Sequence, residues 1–180
     1  MGIRYESLDE EVRTYMAQEL EFDLSRNCLY VSRRLTAAGA EQWPSILREA
    51  VLHHDDSWLA ATLRASGALD TYEERHAQNG KVTMARIPVT APDTLAEGEF
   101  NRFYARGLCA QVLASKGTEV EVYRGKDVQS PRLESQAMIG KHFPAAKLLD
   151  DLRQSIGVDT AMRLPPGPNS GLTVRRIQRE

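Results

Sequence analysis

Thr94-Leu-Ala-Glu-Gly-Glu-Phe-Asn-Arg-Phe-Tyr-Ala-Arg-Gly-Leu-Cys-Ala-Gln-Val-Leu-Ala-Ser-Lys116 decides the fold of this chain. Leu95, Phe100, Phe103, Tyr104, Leu108, Val112 and Leu113 recur at the spacing that lines one face of a helix, and Gly117 supplies a stop. Thr94 and Glu97 have the spacing of a capping box behind Pro92-Asp93. The pattern predicts a helix over 94–116 at the centre of the core. Gly98 and Gly107 inside it each cost roughly 1 kcal/mol against Ala. Both are therefore expected to mark close approach by another backbone, from this chain or from a partner.

Upstream, Ser7 and Glu10 form a second capping-box pair, and Leu8, Val12, Tyr15, Met16 and Leu20 predict an amphipathic helix over 8–20. Cys28-Leu-Tyr-Val31 reads equally as strand or helix entry. Trp43-Pro44 places a proline in a helical first turn, followed by Ile46, Leu47, Ala50, Val51 and His54 on one face. After Asp55-Asp56 a further helix is expected, capped by Asp56 or Ser57, striped by Trp58, Leu59, Thr62 and Leu63, and stopped at Gly67. Asn79-Gly80 then has the residues of a two-residue hairpin turn, predicting a polar, protruding hairpin at about 72–88. Downstream, Thr118–Arg124 alternates as a half-buried strand, 145–154 reads as a short helix, and Gly171–Ile177 has strand character. These elements predict an α+β, mainly helical single domain over 1–163, with a small antiparallel sheet and an extended C-terminal arm over 164–180.

With 180 residues, 42% of them hydrophobic, one domain has a sufficient core. A net charge of -2 excludes the strongly basic balance of a histone-like protein. Acids crowd residues 1–30, whereas Arg175, Arg176 and Arg179 crowd the other end. That polarity suits contacts between subunits, but also two solvated ends. Cys28 and Cys109 form no Cys-x-x-Cys pair and read as reduced thiols. No apolar run approaches a membrane span, the start lacks a signal peptide's hydrophobic stretch, and Glu6 breaks the myristoylation pattern. A soluble protein made in a cytoplasm is expected.

The candidate chemistry is sparse. His53-His54-Asp55-Asp56 combines imidazole with carboxylate, yet adjacent helical residues diverge, and a helix end followed by a cap explains each one. Glu97, Glu99, Arg102 and Arg106 read as a capped first turn followed by surface ion pairs rather than a substrate clamp. Glu119 and Glu121 fit the wet side of a strand, and Cys109 has no positional link to a histidine. Phosphate-loop, dinucleotide and nucleophile-elbow patterns do not occur. We assign no catalytic residue, cofactor or metal. Arg124, Lys126, Arg132, Lys141, Lys147, Arg175, Arg176 and Arg179 could form a nucleic-acid surface, but acids interleave with them.

Three stretches carry a resemblance: Thr94–Cys109, Glu121-Val-Tyr-Arg124 through Ser130-Pro-Arg-Leu-Glu-Ser135, and Leu164-Pro-Pro-Gly-Pro-Asn-Ser-Gly-Leu172. Together the chain resembles uncharacterised small proteins encoded among the virion genes of tailed bacteriophages and prophages. The resemblance implies a virion component of the capsid or of the neck joining head to tail, where subunits interlock through extended arms. It implies no active-site residues. A Pro- and Gly-rich end keeps a fixed shape only when something ties it down. We therefore expect a homo-oligomer that also binds other virion proteins, with the arm (Pro165, Pro166, Leu172, Val174, Arg175, Arg176) and the hairpin tip (Asn79, Gly80) at the interface.

Overall fold

The computed structural model describes residues 2–76, 80–156 and 170–177 of the chain. In order, the elements are α1 (Glu10–Ser25), α2 (Ala37–His53), α3 (Asp56–Ala65), β1 (Tyr72–His76), β2 (Val82–Arg86) and α4 (Ala91–Ala114). There follow β3 (Glu119–Arg124), α5 (Leu133–Gln136), β4 (His142–Pro144), α6 (Ala145–Gln154) and β5 (Leu172–Arg176). The fold is α+β: six helices with two small antiparallel sheets, β1-β2 and β4-β3-β5.

Helix α4 is the axis on which α1, α3 and α6 pack. Phe100, Phe103, Tyr104, Leu108 and Cys109 are fully buried, and burial continues around the helix to Glu99, Arg102, Arg106 and Gln111. The helix starts at Ala91, ahead of the expected Thr94, with Pro92 in its first turn. Thr94 and Glu97 are thus inside it and form no capping box. Its C-terminal reversal falls on Lys116, at φ 62°, and Gly117 N–H then donates to the Val112 carbonyl at 2.7 Å. Leu113, expected inside, is partly exposed.

Local hydrogen bonding moves the other boundaries. The cap of α1 is Asp9, whose carboxylate accepts from Val12 N–H at 2.9 Å, while the Ser7 hydroxyl accepts from Arg176 N–H. Helix α2 starts at Ala37 behind a Thr36 cap, leaving Pro44 inside rather than in the first turn. An interior proline costs about 3 kcal/mol. Full burial of Trp43 and Leu47, with Trp43 Nε1 donating to the Tyr30 carbonyl at 2.8 Å, opposes that cost. Asp55, not Asp56 or Ser57, caps α3 by accepting from Trp58 N–H at 2.9 Å, and Gly67 ends the helix at φ 62°.

Strand β5 pairs antiparallel with β3, matching Val174 to Val122 and Arg175 to Glu121. Leu172, Thr173 and Val174 are buried against the chain's own body. Leu172 and Val174, expected at a subunit interface, are thus covered by their own chain, whereas the side chains of Arg175 and Arg176, expected at the same interface, stay partly exposed. Val120 and Val122 supply an apolar face that the C-terminal strand of the same chain covers. Pro165, Pro166 and Asn79 lie outside the described residues.

The two helical glycines differ. A Cβ on Gly107 would lie 2.7 Å from Met16 N and 3.0 Å from Met16 Cα, so the backbones of α1 and α4 approach closely there. Gly98 is exposed with no neighbour within 4 Å in this chain, so no backbone of the same chain approaches it. Urea unfolding should therefore show Gly107→Ala destabilised by about 1–3 kcal/mol and Gly98→Ala stabilised by up to about 1 kcal/mol.

Candidate functional site

The β1-β2 hairpin is the feature least absorbed by the core. Directly paired residues share a face, so the register Tyr72↔Arg86, Glu74↔Met84 and His76↔Val82 groups Tyr72, Glu74, Val82, Met84 and Arg86 on one side. On it Tyr72, Val82 and Met84 are 56%, 49% and 63% exposed, and Val89 beyond the strand is 82% exposed. This face mixes those exposed apolar side chains with Glu74 and Arg86, on a hairpin whose strands are mostly polar, as its sequence implies. The expected Asn79-Gly80 turn falls in part outside the described residues. Gly80 is at φ 79°.

The opposite side anchors the hairpin. Glu73 accepts from Arg34 Nε at 2.7 Å and Nη2 at 3.0 Å, and Arg75 adds a bond at 3.1 Å. Asp70 N–H donates to the Arg34 carbonyl at 2.9 Å, and Ile87 N–H to the Thr71 carbonyl at 2.9 Å. Hydrogen bonds from Arg34 pull the Glu73 carboxyl below its usual range. The base of the hairpin is held and the face carrying Tyr72, Val82 and Met84 is presented. Among the described residues the outer edge of each strand is unpaired.

The polar residues of α4 are structural but buried, which corrects their reading as surface ion pairs. Arg106 Nε donates to Glu19 at 3.0 Å, and Nη1 and Nη2 to Asp23 at 2.7 and 2.8 Å. Arg153 adds bonds of 2.9 and 2.6 Å to Glu19, linking α1, α4 and α6. Burial pushes the Glu19 carboxyl up, but bonds from Arg153 and Arg106 outweigh it and hold it below the usual value. Arg102 donates to the Leu152 and Ser155 carbonyls at 3.0 and 2.6 Å and stands 3.4 Å from Glu99. The sequence shows the polarity of this set but not its cover from α1 and α6.

The remaining candidates separate. His54 stacks on Trp58 with ring centroids 4.1 Å apart, His53 faces solvent, Asp55 caps α3, and buried Asp56 accepts from Ile3 N–H at 2.9 Å. Among the described residues no group of three His, Cys, Asp or Glu is placed to hold a metal ion. Burial pushes the Cys109 thiol far up, the wrong direction for a nucleophile. Arg175 bonds Glu6 and Glu121 at 2.7 and 2.8 Å, Arg176 bonds Asp9 and Gln111 at 2.5 and 3.0 Å, and Lys126 pairs with Glu97. The acidic start and basic end therefore neutralise one another within one chain. No helix among the described residues is long and apolar enough to cross a membrane. Comparison with known protein families, curated proteins and solved structures finds no match.

Glu99 gives this core a pH signature. Burial, opposed by Arg102 and reinforced by Asp23, raises its carboxyl from 4.5 to about 7. Between those values the folded chain holds a proton that the unfolded chain has released, so stability falls as pH rises through the window and levels off above it. Glu19 and Asp9, held low, act oppositely and only at more acid pH. Glu99→Gln should reduce the slope, leaving the part that Asp56, raised to about 6 by burial, contributes at the acid side, and should gain about 1–3 kcal/mol on the wild type between pH 5 and 8. Chemical denaturation across that range measures it.

Proposed function

We propose that this chain is a non-enzymatic assembly protein of a tailed-bacteriophage virion, a neck adaptor (head-tail connector) or capsid-associated subunit made in the host cytoplasm. It forms a homo-oligomer and contacts other virion proteins through the β1-β2 hairpin. The observation that carries the reading is the anchored hairpin with Tyr72, Val82 and Met84 exposed on one face. Strands with free edges and exposed apolar side chains are suited to adding strands or burying those side chains against another chain. The resemblance in 94–109, 121–135 and 164–172 supplies the virion context. Because β5 lies on its own body, the C-terminal strand no longer supports the reading, and the weight moves to the hairpin.

Sedimentation velocity from micromolar to near-millimolar protein is expected to show concentration-dependent self-association. The double variant Val82→Asp, Met84→Asp should weaken association by about tenfold or more while leaving the thermal midpoint nearly unchanged, since both side chains face solvent. A wild type that stays monomeric throughout, or a variant that associates equally well, would remove hairpin-mediated self-association.

A further inference from the structure

The free edge of the hairpin has a definite hydrogen-bonding pattern. Ile87 N–H donates to the Thr71 carbonyl at 2.9 Å, in the same register that pairs Tyr72 with Arg86. Bonded and non-bonded pairs alternate along an antiparallel ladder, so Glu73↔Ala85 and Arg75↔Thr83 are the pairs that exchange hydrogen bonds within the hairpin. The N–H and C=O groups of Val82, Met84 and Arg86 therefore point away from β1. Among the described residues no strand covers them, and all three residues are exposed. On β1 the outward groups are those of Tyr72, Glu74 and His76.

The two edges differ in what they can accept. Laid antiparallel on a second β2 about Met84, β2 matches Met84 to Met84, Val82 to Arg86 and Thr83 to Ala85. Every outward group then meets an outward group, giving up to about six hydrogen bonds, and no like charges are opposed. Met84 packs on its counterpart, the aliphatic stem of Arg86 covers Val82, and only the small side chains of Thr83 and Ala85 meet on the other face. A slip of one residue sets outward groups against groups already bonded to β1. A slip of two sets Val82 against Pro88, which has no N–H, or Arg86 against Gly80, whose φ of 79° is not extended. On β1 the register that uses the whole strand opposes Glu74 to Glu74, which is repulsive. Pairing β1 with β2 of the next copy is head-to-tail and leaves open edges, whereas β2 on β2 closes with a single partner.

We propose that β2 pairs antiparallel with β2 of a second copy about a two-fold axis at Met84, joining the two hairpins into one continuous sheet. This pairing rests on the hairpin serving as the self-association surface, and it names the edge, the partner and the register. The base of each hairpin lies beside the tip of the other, with the helical bodies at opposite ends of the joined sheet.

Amide hydrogen exchange followed by NMR on the full chain, dilute and concentrated, tests the edge. Where sedimentation shows association, the amides of Val82, Met84 and Arg86 should exchange about tenfold or more slowly than in the dilute protein, while those of Tyr72, Glu74 and His76 stay unchanged. Disulfide linkage tests the register. In a Cys28→Ser background, with Cys109 buried, Met84→Cys should yield a linked dimer on mild oxidation, because residues opposite one another on an antiparallel ladder are within disulfide reach. Glu74→Cys, exposed on the same face but one strand further from the axis in each copy, should not link. Slowed exchange at Tyr72, Glu74 and His76 instead, no slowing in either set, or linkage through Glu74→Cys in preference to Met84→Cys overturns the pairing. In each of these cases hairpin-mediated association survives if Val82→Asp, Met84→Asp still weakens it. A chain that stays monomeric, or that associates equally well in that double variant, removes both.

Discussion

Arg106 is the constraint around which the helical body is arranged. It is 1% exposed, projects from the middle of α4, and meets Glu19 and Asp23 one turn apart on α1, with Arg153 of α6 completing the neutralisation. Two carboxylates and two guanidiniums balance, so no net charge is stranded. Breaking such a buried set by removing one partner costs about 3–5 kcal/mol, although apolar residues of matched shape could replace it at little cost. Its directional bonds fix how far α1 may slide or rotate on α4, a restriction that Phe103, Leu108 and Met16 cannot impose by burial alone. Gly107, one residue from Arg106, lets α1 approach closely enough for these bonds to form.

That arrangement explains what the chain disclosed of itself. Elements with a one-sided apolar pattern and a single covering layer were legible: α3 with Leu59, Leu63 and the stop at Gly67, α6 with Leu148, Leu149 and Leu152, and β3 with Val120 and Val122. The length of α4 was also legible, but its polar face was misread, because a helix covered by α1, α3 and α6 has almost no wet side and its charges find partners far along the chain. Caps moved by a few residues wherever several Ser, Thr or Asp side chains competed. At Ser7 and Asp9 the deciding partner was Arg176, which no local pattern near α1 contains.

The same distance effect governs the ends. Charge polarity was visible, with acids early and arginines late, but a pattern of signs does not say whether the complement lies in the same molecule. Here β5 brings Arg175 and Arg176 across β3 to Glu6, Glu121, Asp9 and Gln111. Arg4 and Glu6 bond to Tyr123 through their backbone, closing the N-terminal segment over the same strand. The two ends of the chain thus stabilise one sheet together.

Surfaces available for other molecules are therefore those that the ion pairs and the sheet leave over. The hairpin exposes apolar side chains although its base is pinned through Glu73, an expense in solvation that folding does not require, since Tyr72, Val82 and Met84 do not pack on the core. Asp56 presents the converse case, a buried carboxyl whose Oδ1 accepts no hydrogen bond among the described residues. Stability explains the burial of Arg106, because each of its bonds closes a contact between helices. It does not explain an exposed Met84. Exposed departures from self-satisfaction in an otherwise well-paired chain are where binding energy for a second molecule remains.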